Sequence, residues 1–399
     1  MPKVEIKGLY KIFGPTPRQV ITMLQDGADK ANILKKHKHS VGVNNASFTV
    51  EEGEIFVVMG LSGSGKSTLI RCLNRLIEPT GGSVFIDDQD ITKVSAAHLR
   101  EVRRKKIAMV FQNFALLPHK TVLENVAFGL EIQDVKAEIR KQKAQEMLET
   151  VGLKGYGNAK PNELSGGMQQ RVGLARALAT KADILLMDEA FSALDPLIRK
   201  DMQNELLSLQ HKLKKTIIFI THDLDEALKI GDRIAIMKDG NIVQIGTAEE
   251  ILQSPADDYV REFTQDVNRA KIITASAIMR DAEALVLEKS GIRMAVRKMK
   301  DLGISSLFVT DKSNMLLGIV TIEQVSSLIK EGKEDLASII DDNIKTVGPE
   351  SSIDEIIPLF LYSNYPVAVV DTDKKLKGII FKSTVLAGIA GEGREPYYV

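Results

Sequence analysis

Eight residues, Gly60-Leu61-Ser62-Gly63-Ser64-Gly65-Lys66-Ser67, constrain this chain more than any other segment. Three glycines in six positions let the backbone turn back so that several N–H groups converge, and a helix starting at Lys66 adds its positive end there. The flanks fit: residues 54–59 read as an apolar strand, and the residues from Lys66 onward as a helix. Strand, glycine turn and helix in that order make a phosphate loop. Its backbone from Gly60 to Ser67, with Thr68 behind it, would surround the phosphates. Lys66 would reach the outer ones, and Ser67 would offer an oxygen to Mg²⁺.

Such a loop needs a parallel sheet to carry it. Further strands read at 4–6, 83–86, 107–111, 184–187, 216–220 and 233–238, with helical periodicity at 136–151, 168–179 and 199–214. Alternating strand and helix predicts an α/β core with a mostly parallel sheet. Asp239-Gly240 is a hairpin signal. After about residue 265 the pattern changes and repeats. Residues 307–311 (LFVTD) are echoed by 367–371 (VAVVD), and 316–320 by 376–380, both 60 positions later. A duplicated helix–strand–turn–strand–helix unit is expected, its copies packed on a shared face. Residues 391–399 read as a loose tail.

Composition removes several classes of function. Basic and acidic side chains both number 53, so a generally basic nucleic-acid coat is excluded. The run Arg103-Arg104-Lys105-Lys106 has no interleaved aromatics and reads as a solvated face. A single cysteine, Cys72, excludes a disulfide framework, fits a reducing compartment and reads as a packing residue. No apolar run approaches the roughly 18–20 residues that span a bilayer, and the N-terminus lacks a signal core. A cytosolic chain is expected, with membrane contact only through a partner. Residues 17–40 hold five basic and two acidic residues and read as two short helices around Gly27. Either they form a solvated hairpin, or Lys35, Lys36 and Lys38 touch an anionic surface.

Two more elements carry chemistry. Leu164-Ser165-Gly166-Gly167-Met168, leading into a helix, offers a hydroxyl and exposed N–H groups, a second anion site. The apolar strand before Asp188-Glu189 places Asp188 where it can hold Mg²⁺ through water, and Glu189 where it can accept a proton from attacking water. The two anion sites cannot face one phosphate within one chain.

Together these motifs resemble the nucleotide-binding subunit of ATP-binding-cassette (ABC) transporters over roughly residues 4–265. The resemblance implies a RecA-like core with an antiparallel β subdomain and a helical subdomain. It implies that Gln112 is a lid-loop residue sensing Mg²⁺, that His222 contacts the γ-phosphate, and that Phe13 stacks on adenine. Ser192-Ala193-Leu194-Asp195 would cross a dimer seam, and Met168 stands where the family more often has glutamine. In the implied head-to-tail homodimer, Ser165 and Gly167 of one copy close on ATP held by the other. Segment 114–130 is similar to the surface that docks a membrane subunit.

Within the family, the segments around residues 60, 164 and 188, the insertion at 17–40 and the C-terminal repeat are similar to the ATPase of glycine-betaine/proline-type importers. The repeat resembles a tandem pair of cystathionine-β-synthase (CBS) domains. The implied domains are 1–265, 270–329 and 334–390. The implied role is ATP hydrolysis that energises uptake of a quaternary-amine osmoprotectant. It implies a separate permease and a solute-binding protein, no nucleic acid, and a peripheral position on the cytoplasmic face of the membrane. An ATPase acting on nucleic acid would usually fuse two cores or carry a long coiled coil, and neither occurs in this sequence. CBS pairs commonly hold adenosine nucleotides through an aspartate on the ribose. Here Gln324 stands at that position in the first copy, and Thr384 in the second. That departure argues against ordinary AMP or ATP binding. Tyr365 and Lys382 either serve cyclic di-AMP, by stacking and by phosphate contact, or are a surface aromatic and a solvated lysine.

Overall fold

The strand expected over 4–6 runs on to Phe13 in the computed structural model, which describes residues 2–265, 267–333, 335–361, 363 and 365–390. The tail assigned to 391–399 lies outside the described residues. Strand β1 (Val4–Phe13) is long because β2 (Ser40–Val50) pairs with it antiparallel along its whole length, Val4 opposite Val50 and Phe13 opposite Ser40. Between them, α1 (Pro17–Gln25) and α2 (Lys30–His37) make the helical excursion, turning at Gly27. Val20 and Ile33 seat it on Ile12 and Val41 of the hairpin, which leaves Lys35, Lys36 and Lys38 exposed.

The chain continues through β3 (Ile55–Met59), α3 (Lys66–Leu73), β4 (Gly81–Ile86), β5 (Gln89–Asp90), α4 (Ala96–Lys105) and β6 (Ile107–Phe111). Helices α5 (Val122–Ile132), α6 (Ala137–Thr150) and α7 (Gly166–Ala179) follow without a strand between them. Then come β7 (Ile184–Asp188), α8 (Pro196–Leu213), β8 (Thr216–Thr221), α9 (Leu224–Ile230), β9 (Arg233–Lys238), β10 (Asn241–Gly246), α10 (Ala248–Gln253) and α11 (Asp258–Phe263). The strands form two sheets. One is antiparallel, in the order β2-β1-β4-β5; the other has the order β10-β9-β3-β8-β7-β6 and is parallel except for β10. Phe48 of the first stacks on Phe56 of the second, with centroids 4.8 Å apart and planes 4° from parallel.

Helices α5, α6 and α7 bury their own core, including Val126, Leu130, Ala144, Leu148 and Val172. Segment 114–130 is therefore not all surface. The capping box of Thr121 and Glu124 starts α5, and that helix turns Val122, Asn125, Val126 and Leu130 inward. Only the stretch before it and the outer face of α5 stay available for docking. The basic run at 103–106 also differs from a solvated face. Arg103 donates to the carbonyls of Asn74 (2.8 Å) and Arg75 (2.7 Å), closing the C-terminal end of α3.

The chain divides into two units, with the change near residue 265. In the second, each repeat is a three-stranded sheet: β11 (Leu285–Val286), β12 (Ser306–Thr310), β13 (Leu316–Thr321), and β14 (Thr346–Val347), β15 (Val367–Val370), β16 (Leu376–Ile380). Around them lie α12 (Ala275–Ile278), α13 (Ile292–Leu302), α14 (Ile322–Lys330), α15 (Ile353–Ile356) and α16 (Lys382–Ala390). The shared face is Phe308 and Ile319 against Ala368 and Leu376. The copies also exchange their leading segments. Ala275 and Ile278 pack in the core of the second sheet, and Leu336 in that of the first.

Cys72 lies fully buried among the side chains joining the two large sheets, and burial pushes its thiol up to about 12. The native chain should not react with Ellman's reagent at neutral pH, and one thiol should appear on unfolding; native labelling would contradict this packing.

Candidate active site

Parallel strands end their C-termini on one edge, and in this sheet four neighbours end within one residue of one another. Met59 lies opposite Thr221, Ile220 opposite Asp188, and Asp188 opposite Phe111. The residues that follow those strand ends are Gly60, His222, Glu189 and Gln112. With neighbouring strands about 4.8 Å apart, the row spans roughly 15 Å, the reach of a nucleoside triphosphate's phosphates and the groups that act on them.

Gly60 opens the phosphate loop, which ends on α3. Gly65 is left-handed (φ +104°), and a Cβ there would run into the carbonyl of Gly42. Any other residue would push the loop off the β1–β2 hairpin. Leu61, Ser62 and Gly63 are exposed, whereas Ser64 is buried. The N–H of Gly240 donates to the Ser64 carbonyl at 2.8 Å, so the hairpin turn at Asp239-Gly240 braces the loop from behind. The Lys66 ammonium donates to the carbonyls of Gly60 (2.8 Å) and Leu61 (3.0 Å), with Glu189 Oε1 3.9 Å away. Burial lowers its pKa, against the carboxylates of Glu189 and Asp188, which raise it. A buried cation engaged by neutral carbonyls is suited to an incoming phosphate, which offers it full charges.

Ser67 donates its hydroxyl to Asp188 Oδ1 at 2.8 Å. The other carboxylate oxygen accepts from Arg71 NH2 at 3.1 Å, an arginine the sequence analysis did not single out. It lies five residues past Lys66 on α3, and no local motif marks it. This hydroxyl and carboxylate are hard oxygen donors of the kind Mg²⁺ takes, with the balance of its shell from phosphates and water. Gln112, exposed at the end of β6, is one strand away. Beside Asp188, Glu189 is left-handed (φ +46°), its N–H held by the Ile220 carbonyl at 3.1 Å. His222 Nδ1 lies 3.2 Å from Glu189 Oε2. A non-glycine in that conformation is uncommon and gathers at functional sites.

The remaining expected residues fall into two groups. Phe13 is near the loop despite the excursion at 17–40: a Cβ on Gly42 would touch both its ring (3.1 Å) and the Thr68 methyl (3.0 Å). Lys11 Nζ sits 4.8 Å from the ring centroid, and the ring is half-exposed. Ser192, Ala193, Leu194 and Asp195 run from Glu189 to α8. The Ser192 hydroxyl donates to the Glu189 carbonyl (2.8 Å), and Arg199 donates to the carbonyls of Ser192 and Leu194. The second anion motif sits elsewhere, in the helical layer. Ser165 caps α7 by accepting from Met168 N (3.4 Å), so the helix starts at Gly166, two residues before the expected Met168. Leu164 packs in the helical core, and Gly167 lies close to Ile198 of α8.

In the second unit, the ribose positions are already engaged. Gln324 accepts from Thr321 N at 2.9 Å in a capping box, and Thr384 donates to the Phe381 carbonyl at 2.8 Å. Tyr365 and Lys382 are exposed. Tyr365 lies two residues before β15 and Lys382 opens α16, two residues after Ile380, the residue of β16 that pairs with Val367.

A family model described as ABC transporter matches residues 43–192, and one described as CBS domain matches residues 275–331 and 336–391. The chain is 53% identical to the glycine betaine/carnitine transport ATP-binding protein GbuA of Listeria monocytogenes, over 98% of each chain. It is 54% identical to the glycine betaine transport ATP-binding protein OpuAA of Bacillus subtilis, over 98% of this chain and 93% of that one. With the glycine betaine/proline betaine transport system ATP-binding protein ProV of Escherichia coli it shares 50% identity over 98% of each. Among solved structures, the dimeric ATP-binding cassette MJ0796, bound to ADP and Pi, superposes with a TM-score of 0.52 at 34% identity. That match covers 61% of this chain and 98% of that one.

Two substitutions separate the roles of the groups on the sheet edge. Lys66→Ala should weaken ATP binding on the order of 10- to 100-fold, the loss of one charge-assisted contact. Glu189→Gln should bind ATP normally while turnover falls on the order of 10²–10⁴-fold. Equilibrium binding and phosphate release measured side by side check both, and retained hydrolysis in Glu189→Gln would remove Glu189 as the base.

Proposed function

Because this chain belongs to the ABC-transporter ATP-binding subunits of the glycine-betaine type, enzymes that couple ATP hydrolysis to transport, we propose that it energises import of a quaternary-ammonium compatible solute. Glycine betaine is the first candidate, the solute named for its relatives in Listeria, Bacillus and Escherichia. The single observation behind the catalytic part is that β3, β8, β7 and β6 end within one residue of one another, with Gly60 of the Lys66 loop, His222, Glu189 and Gln112 following on one edge.

In the proposed reaction the N–H groups of residues 60–67 and the Lys66 ammonium hold the phosphates, and Phe13 stacks on the adenine. Ser67, Asp188 and Gln112 would hold Mg²⁺, which supplies charge neutralisation on the phosphate oxygens when bound. Arg71 keeps Asp188 oriented. Glu189 accepts a proton from the attacking water, and His222 contacts the outermost phosphate while bonded to Glu189. Catalysis rests on positioning and electrostatics, with no covalent intermediate.

ABC ATPase subunits work as dimers with a membrane permease, at the periphery of the membrane. Among the described residues, no helix is long and apolar enough to cross one. We take the dimer here to be two identical chains, head to tail, with Ser165 and Gly167 of one completing the site of the other. The subunit would sit on the cytoplasmic face, and a separate solute-binding protein would deliver the cargo. Nucleic acid has no part in this reading.

Regulation has two candidate devices. Tyr365 before β15 and Lys382 after β16, both exposed, suit the base and phosphate of cyclic di-AMP, whereas Gln324 and Thr384 are engaged in capping and leave AMP or ATP without a ribose contact. Lys35, Lys36 and Lys38, exposed at the negative end of α2, suit an anionic membrane. There attraction weakens as salt shortens the Debye length from ~10 Å at 0.1 M to ~3 Å at 1 M.

Proteoliposomes holding the chain with its permease and binding protein should accumulate labelled glycine betaine only with ATP inside. Failure with glycine betaine, carnitine and proline betaine alike would remove the solute assignment. Calorimetry on full-length Lys66→Ala, with its catalytic site silenced, should show micromolar binding of cyclic di-AMP and none of AMP. No binding of either would place the sensing on Lys35, Lys36 and Lys38.

A further inference from the structure

The lid segment after β6 is held in a conformation its residues do not favour. Phe114 and Ala115 are both left-handed, with φ of +56° and +48°. A Cβ is penalised in that region, and two such residues in succession need outside support. The support comes from α7. Arg176 donates from NH2 to the Phe114 carbonyl (2.9 Å) and from NH1 to the Ala115 carbonyl (2.6 Å). Burial lowers the pKa of this half-buried guanidinium.

The same helix lies close under the segment. A Cβ on Gly166 would be 3.9 Å from Phe114 Cζ, and one on Gly173 would be 3.8 Å from the Phe114 carbonyl oxygen. Residues three and four apart share a helix face, so Gln170 lies on the face that Phe114 covers, between those two glycines. Its side chain is fully buried, and among the described residues neither Nε2 nor Oε1 has a hydrogen-bond partner. An amide with two donors and an acceptor, all unused in the interior, is costly, whereas an apolar side chain of that size would fill the space without the cost.

We propose that Arg176 and Gln170 are positioning residues for Gln112, two alternative latches for the loop that carries it. Arg176 holds the left-handed form. When Phe114 and Ala115 relax to ordinary backbone angles their peptide groups rotate, and Gln170 supplies the hydrogen bonds that the loop then needs. Both latches stand on the helix that begins at Ser165, so a nucleotide engaging that end in the partner copy is tied mechanically to Gln112 and to the docking stretch after it. This inference rests on the ATPase reading of the site, and on nothing about the solute.

The test uses the full-length chain and Gln170→Met, which keeps the volume and removes the hydrogen-bonding groups. The variant should melt at the same or a higher temperature, bind ATP as tightly, and turn it over at least about tenfold more slowly. Hydrogen exchange, followed in a Glu189→Gln background so that ATP persists, should slow about tenfold over residues 112–118 on ATP addition. That protection should vanish when Gln170→Met is added. Arg176→Lys, which keeps the charge and loses the fork, should speed exchange over the same residues without nucleotide. Turnover within twofold together with unchanged protection would overturn the proposal. So would a lower melting temperature in Gln170→Met, which would mean the amide is already partnered at rest. If the unaltered chain binds ATP and never hydrolyses it, the ATPase reading fails. The exchange arm, which needs binding alone, still decides the latch.

Discussion

Everything catalytic here depends on the register of four parallel strands. Met59 of β3 pairs with Thr221 of β8, while Asp188 of β7 pairs with Ile220, one residue earlier in β8, and with Phe111 of β6. A one-residue slip in any pair would move the following residue by about 3.3 Å and turn its side chain to the other face. The register is secured by burial, since β3, β7 and β8 are buried along their whole lengths. It is also secured by ties beyond the strands, such as the Glu189 N–H to the Ile220 carbonyl. Stacking of Phe48 on Phe56 then fixes the antiparallel sheet to this one. Such a pair contributes about 0.5–1.5 kcal/mol beyond its buried area. Through that junction the β1–β2 hairpin brings Gly42 and Phe13 to the phosphate loop.

The electrostatics follow the same frame. Lys66 is buried beside two carboxylates and two carbonyls, and Asp188 divides its oxygens between Ser67 and Arg71. Each charged group at the phosphate end therefore has a partner that a phosphate or a divalent cation could replace, so the site is organised before either arrives. Preorganisation of this kind lets fixed dipoles act without reorganising during the reaction. The helical layer has its own core and reaches the lid segment through Arg176, so a shift of α7 would be felt at the loop that carries Gln112.

The second unit is built on exchange. Leu316 N donates to the Lys374 carbonyl and Leu376 N to the Asn314 carbonyl, each at 3.0 Å, so the repeats grip one another reciprocally. Because each repeat's core includes the other's leading segment, neither copy has a complete core by itself. A molecule binding at one repeat would act on both.

Much of this was legible in the sequence, for a physical reason. The phosphate loop, the Ser165 turn, the acids after 184–187 and the 60-residue echo are local patterns, and glycine turns, helix caps and buried strands are set by neighbouring residues. Short-range chemistry also set the start of α3 at Lys66, directly after Gly65. What the sequence did not reveal was set by partners far along the chain. Strand β1 is ten residues long because β2 lies beside it. Segment 114–130 turns one face of α5 inward because α6 and α7 pack against it. Arg103 closes α3 instead of facing solvent, Arg71 holds Asp188 from 117 positions away, and Gln324 is engaged as a cap. Local sequence determined which chemistry the chain carries. Only the tertiary structure decided which groups face one another, because contacts between residues far apart in sequence leave no mark on the pattern of either.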